Sequence, residues 1–167
     1  MTTDIHIKGL EGLQALLDEL PARIEKNVVR GGLRAAAKVV EAEAKRLCPV
    51  GEGDLPKGRT SGALRDSIHV SMRTRRGRVQ ATIGAGGGNA WYAGMVEHGT
   101  ARHWIKPKNR KSLFVAGLLR EAVDHPGAKK QPFMRPAIDG KASEAVDTMA
   151  AYLRDRIPKE IDKAGKK

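Results

Sequence analysis

Ile68-His69-Val70-Ser71-Met72-Arg73 and Arg78-Val79-Gln80-Ala81-Thr82-Ile83 decide the fold class of this chain. In each run an apolar residue alternates with a polar one, the period of a strand that buries one face. Thr74-Arg75-Arg76-Gly77 joins the runs, so the pair reads as a β-hairpin with a basic tip of Arg73, Arg75, Arg76 and Arg78. On both sides of the hairpin the apolar period changes to three and four. Upstream, Val29, Leu33, Ala36, Val40, Ala44 and Leu47 form one stripe, which predicts a helix over 22–47 closed by Pro49. Gly31 and Gly32 weaken that helix by about 1 kcal/mol each relative to Ala and allow a bend. Downstream, Ile138, Ala142, Ala145, Met149, Leu153 and Ile157 predict a second long helix over 132–157, with Pro136 suited to its first turn. The fold class is therefore α+β: two long helices packed on a small antiparallel sheet of hairpins, connected by long Gly/Pro-rich loops.

The remaining segments follow from punctuation. Asp4 to Lys8 reads as a short strand, and Leu10, Leu13, Leu16, Leu17 and Leu20 follow at helical spacing until Pro21. Residues 48–62 and 84–90 are rich in glycine, the former also in proline, and are expected as flexible loops. Trp91 to Val96 is a compact apolar patch, either a short helix or a strand, and His98-Gly99-Thr100 is a turn. Leu113–Val115 and Leu118–Val123 pair as a second hairpin around Ala116-Gly117, and residues 124–131 read as a basic loop. One domain spans 1–157, and 158–167 is a basic, frayed C-terminal tail beginning at Pro158.

Composition narrows the function classes. Hydrophobic residues make up 40% and charged residues 30%, as in a globular domain, yet aromatics are only 4%. A core that light predicts that part of the apolar burial comes from neighbouring subunits. The 31 Lys+Arg against 19 Asp+Glu leave a formal charge of +12, which favours polyanionic partners. Cys48, the single cysteine, excludes an intrachain disulfide framework and any multi-Cys metal site. Residues 1–20 carry Asp4, Glu11, Asp18 and Glu19 rather than an apolar signal core, and no run approaches the roughly 20 apolar residues of a membrane span. The expectation is a chain made in the cytoplasm, without a membrane partner.

Candidate chemistry is sparse. Gly84-Ala85-Gly86-Gly87-Gly88 lacks the third glycine of a dinucleotide fingerprint, since position 89 is Asn89, and no Gly-Lys-Ser/Thr follows it. His69, His98, His103 and His125 have no carboxylate or thiol at ligand spacing, and Glu97 beside His98 has no third partner. The sequence therefore implies no enzyme, no cofactor and no metal. The basic segments are the better signal. Lys57, Arg59, Arg65, Arg73, Arg75, Arg76 and Arg78 lie together with Asp66 as the only acid among them, and a second basic group runs from Arg102 to Arg135. No helix-turn-helix, zinc finger or aromatic RNA-binding motif accompanies them, so they read either as a solvated surface or as a non-specific phosphate contact.

Three ordered stretches carry a family resemblance. The first is Leu33-Arg34-Ala35-Ala36-Ala37-Lys38-Val39-Val40-Glu41-Ala42-Glu43-Ala44-Lys45 running into Cys48-Pro49-Val50, followed after a loop by Ser61-Gly62-Ala63-Leu64-Arg65-Asp66-Ser67-Ile68. The second is Trp91-Tyr92-Ala93-Gly94-Met95-Val96-Glu97-His98-Gly99-Thr100. The third is His125-Pro126-Gly127-Ala128-Lys129-Lys130-Gln131-Pro132-Phe133-Met134-Arg135-Pro136-Ala137, with Met134 where leucine is usual. Together they resemble the small tail-completion, or head–tail joining, proteins of long-tailed phages and prophages, the "gene product ten" family of lambda-like coliphages. The resemblance implies a non-enzymatic virion structural protein of the neck or minor tail, assembled as a ring, six-fold, through which DNA passes. It implies neighbouring phage neck or tail proteins and, non-specifically, phage DNA as partners. Tyr92, Glu97, Gly99, Thr100, Gln131, Pro132, Phe133, Arg135 and Pro136 become structural motif residues, and Lys57, Arg59, Arg73, Arg75, Arg76 and Arg78 face DNA or an interface. The alternative is a basic, non-specific nucleic-acid-binding protein with a cellular role.

Overall fold

The computed structural model describes residues 22–51, 60–108, 111–115 and 117–164. The expected strand at 4–8, the helix at 10–20 and most of the 48–62 loop lie outside them. Helix α1 (Ala22–Leu47) is a single 26-residue element. It is rich in Ala and in charged residues of high helix propensity, and the ion pairs Lys45–Glu41 (2.6 Å) and Arg46–Glu43 (2.7 Å) brace its last turns. A four-residue turn of helix, α2 (Ala63–Asp66), leads into the hairpin β1 (His69–Arg75) and β2 (Arg78–Gly84). A 3₁₀ turn (Gly88–Ala90) and α3 (Ala93–His98) follow, so the 91–96 patch is a turn at Trp91-Tyr92 and helix from Ala93. Four three-residue strands come next, β3 (His103–Ile105), β4 (Leu113–Val115), β5 (Leu118–Arg120) and β6 (Val123–His125), and then α4 (Met134–Ala164). Helices and small antiparallel sheets thus combine as α+β.

α1 and α4 pack antiparallel, and the packing explains their sequences. At one end Val40, Ala44 and Cys48 of α1 and its exit meet Phe133, Ala137 and Ala145, together with Leu64, Ile68, Ala90 and Ala93. At the other end Val28 meets Leu153 and Ile157. Small residues dominate the seam, so the helices approach closely. A Cβ on Gly31 would fall 2.2 Å from Tyr152 Oη, and one on Gly32 would fall 3.3 Å from Leu153 Cδ2 and Met149 Cγ. The two glycines therefore mark the place where α4 lies against α1, within one continuous helix.

The hairpin pairs in register from His69↔Gly84 to Arg75↔Arg78, with Val70↔Ile83 and Met72↔Ala81 half-buried on the side that faces α1. The link is tighter than the sequence suggests, because Thr74 and Arg75 belong to the ladder and only Arg76-Gly77 turns. The glycine segment after β2 has two anchors: Gly86 N–H donates to Ser67 Oγ at 3.0 Å, and Ala90 is buried.

Two further expectations differ from the structure. The strand expected over 118–123 ends at Arg120, and Val123–His125 pairs instead with His103–Ile105. Ile105 faces Val123 while Leu113 faces Arg120, so seven positions separate the two ladders on one side of the chain and only two on the other. Pro107, which has no N–H to give a ladder, sits in the longer side and interrupts the ribbon. The tail expected to fray from Pro158 is helical to Ala164. The proline removes a bond to the carbonyl of Arg154, which is an exposed position. Ion pairs Arg156–Glu160 (2.8 Å) and Lys159–Asp155 (2.5 Å) span the break, and Ile157 just before it is buried.

Candidate functional site

Three regions hold the residues singled out in the sequence. The first is the junction between α3 and the start of α4. Glu97 Oε2 accepts the backbone N–H of Phe133 (2.8 Å) and Met134 (2.9 Å), and Oε1 accepts that of Arg135 (3.0 Å). Residue 136 is proline and has no N–H, and Ala137 N–H already reaches Phe133 O at 3.3 Å. Every amide that a helix start leaves orphaned is thereby served by one carboxylate or by the helix itself. Burial pushes the Glu97 carboxyl up, but the donors from Met134, Phe133 and Arg135, with His98 nearby, outweigh it and hold it below its ordinary value of 4.5.

The same junction is laced by backbone. Gln131 N–H donates to Val96 O (2.8 Å), Thr100 and Ala128 exchange both backbone bonds, and Ala128 N–H also reaches Thr100 Oγ1 at 2.8 Å. Gly99 and Gly127 make the approach feasible. Both sit at positive φ, and a Cβ would fall 2.7 Å from Ala128 O in the first case and 2.1 Å from Thr100 O in the second. Phe133 is fully buried below the cap, and Arg135 pairs with Asp139 at 3.4 Å. Glu97, Gly99, Thr100, Gln131, Phe133 and Arg135 thus meet in one place, with Pro132 and Pro136 as the two amide-free positions flanking the cap. Tyr92 packs edge-on against Trp91, with ring centroids 6.1 Å apart.

The second region is an arm built from the described residues between Thr100 and Ala128. Its base is the Thr100↔Ala128 bridge, its middle is β3–β6, and its tip is β4–β5. His103 and His125 face each other across the middle with centroids 5.1 Å apart, and Arg102 pairs with Asp124. That guanidinium holds the Asp124 carboxyl below its ordinary range. At the tip Phe114 pairs with Leu119 and Val115 with Leu118. Phe114 is 74% exposed, Leu119 73% and Leu118 57%, and Trp104 further back is 65% exposed. Sequence reasoning found the tip hairpin but missed its exposure. Strands of three residues do not show an alternation long enough to tell an inner face from an outer one.

The third region is the basic hairpin tip. Arg73, Arg75, Arg76 and Arg78 line an open concavity with Gln80, and none of them forms an ion pair among the described residues. Lys57 and Arg59 lie outside the described residues. Arg30, which the sequence did not nominate, joins the tip by donating to Thr74 Oγ1 at 3.1 Å. Among the described residues, no group of three or more His, Cys, Asp or Glu is placed to hold a metal ion. No helix among them is long and apolar enough to cross a membrane.

A family model described as "Bacteriophage HK97-gp10, putative tail-component" matches residues 11–99, just over half of the 167 residues. The match contains α1, the basic hairpin, α3 and Glu97, and stops where the arm begins. No curated protein and no solved structure matches the chain.

Proposed function

Because the chain belongs to the HK97-gp10-like family of bacteriophage tail components, we propose that it is a non-enzymatic structural subunit of the virion, of the head–tail connector or tail-completion type. Copies close into a ring, six-fold, through which the genome passes, and the ring sits between neighbouring neck or tail proteins. The observation that carries the self-assembly is the arm. A two-stranded hairpin of three-residue strands is marginal in water by itself, and this one presents Phe114, Leu118 and Leu119 to solvent.

Magnitudes favour a protein partner over a small ligand. An aromatic side chain contributes roughly 150–250 Å² when buried. Phe114 and Trp104 with Val115, Leu118 and Leu119 therefore offer on the order of 500 Å² of apolar surface, against the 800 Å² or so per partner of a standard interface. A tip on one subunit received by a different surface on the next is a heterologous contact, the kind that closes into a ring. The low aromatic content fits this account, since Phe133 is the one aromatic residue that is fully buried among those described. The test is the pair of substitutions Phe114→Ser and Leu119→Ser. Wild-type protein should form closed rings visible by negative stain, and the variant should stay monomeric with an unchanged melting temperature. Rings that form equally well from the variant would remove the arm from the interface.

A further inference from the structure

The turn of the β1–β2 hairpin is built against its own stability. Arg76 has φ 50° and Gly77 φ 80°, the two positive values of a type I′ turn. The first of those positions favours Asn, Asp or Gly, and a long L side chain there is strained. Beside the turn, Arg75 and Arg78 stand directly opposite each other in the ladder, a like-charge pair that weakens it. Two unfavourable local choices at one tip both place a guanidinium in solvent.

Charge also runs along α1 and meets the hairpin at Thr74, whereas Arg73, Arg75 and Arg78 alternate with it and lie on the ribbon face away from the helix. Arg30 holds Thr74 Oγ1 from the helix side, and Arg34 and Lys38 follow at steps of four, on one flank of α1. They border a groove of about 480 Å³ that includes Asn27 and the packed Tyr152. Arg34 and Lys38 are exposed and form no ion pair among the described residues, whereas Lys45, Arg46, Lys141, Arg156 and Lys159 on the same two helices each hold a carboxylate. From Asn27 to Lys38 the helix has no Asp or Glu.

We infer that the Arg30–Arg34–Lys38 flank of α1 and Arg76 at the hairpin turn together hold the phosphate backbone of duplex DNA, and that Arg76 is kept at the turn for its charge. Cations spread over a helix flank and a hairpin suit a repeating backbone charge. Single strands are held by stacking on exposed aromatic rings, and the one aromatic lining the groove, Tyr152, is packed against Gly31. The inference rests on the reading of the chain as a virion subunit met by the genome, and names the surface that meets it.

The test is a salt titration of full-length protein on a fluorescein-labelled duplex of random sequence, with ring formation read on the same samples by sedimentation. The Arg34→Ser/Lys38→Ser variant should flatten the slope of log K against log salt by roughly two, and Arg76→Asn by about one. Arg76→Asn should also raise the melting temperature by roughly 2–4 °C. Lys129→Ser/Lys130→Ser, an equal loss of charge at the arm base, should leave the slope near that of wild type. A wild-type slope in the Arg34/Lys38 variant overturns the inference, and so does an equal loss in the Lys129/Lys130 control. Competition by polyglutamate as strong as by DNA would assign the surface to an acidic protein instead. Rings that bind no DNA overturn the surface and leave the subunit reading standing. DNA bound on this surface by a chain that never assembles upholds the inference and removes the ring.

Discussion

Glu97 on α3 caps the amide of Phe133, 36 residues further along the chain, at 2.8 Å, and the same carboxylate takes the next two amides of α4. The cap therefore comes from another element rather than from the residue that starts the helix. It couples the first turn of α4, the seat of Phe133 and the base of the arm into one unit. Glu97→Ala should destabilise the protein by about 2 kcal/mol, because it leaves three amides at a partly buried helix start without their charged acceptor. Glu97→Gln, which keeps one carbonyl oxygen, should cost less. Urea unfolding of the two variants measures both.

Acid should act on the same carboxylate. Its pKa in the folded protein lies below the ordinary 4.5, so its contribution is fully present above that value and is lost as pH falls through the lowered folded pKa. Wild-type stability should drop in that window, and Glu97→Gln should flatten the drop. Parallel pH profiles for the two proteins would show that Glu97 is not the titrating cap.

Gly31 and Tyr152 should be energetically coupled. Alanine at 31 gains about 1 kcal/mol of helix propensity, but its Cβ would lie 2.2 Å from Tyr152 Oη and 2.6 Å from Cζ. Tyr152 packs against the Val28–Leu153–Ile157 cluster, so moving the ring costs packing, typically 1–3 kcal/mol. Gly31→Ala should destabilise wild type and should stabilise the Tyr152→Ala background by about 1 kcal/mol. A double-mutant cycle reads the coupling directly.

Cys48 should be inert. It is 5% exposed, and burial pushes its thiol pKa up despite the nearby Arg65. Iodoacetamide at neutral pH should label the folded protein far more slowly than the urea-unfolded chain. Equal rates would place the thiol at the surface.

The legible parts of this fold were those with a sustained period. The stripe from Val29 to Leu47 marked α1 with its ends, and the alternation from Ile68 to Ile83 marked the first hairpin. The C-terminal helix is visible through Leu153 and Ile157, but Pro158 signals an end that the helix does not have, because packing of Ile157 and ion pairs across the break outweigh the lost hydrogen bond. The β3–β6 pair was hidden because three-residue strands carry no periodicity, and their partners are 20 residues apart. Glu97 stands out in its motif, but its partners are backbone amides, which any sequence would supply. Arg34 and Lys38 were hidden in another way. Lysines and arginines on a helix usually read as a solvated face, and only the lack of an ion pair to either of them among the described residues sets these apart.

Self-assembly is the central claim, and the mass of the purified protein across a concentration series tests it most directly. Wild type should pass from monomer to one discrete closed species, and Phe114→Ser/Leu119→Ser should remain monomeric at every concentration while folding normally. A wild-type chain that stays monomeric throughout, with the same profile as the variant, would contradict the ring and leave the exposed arm without the partner assigned to it.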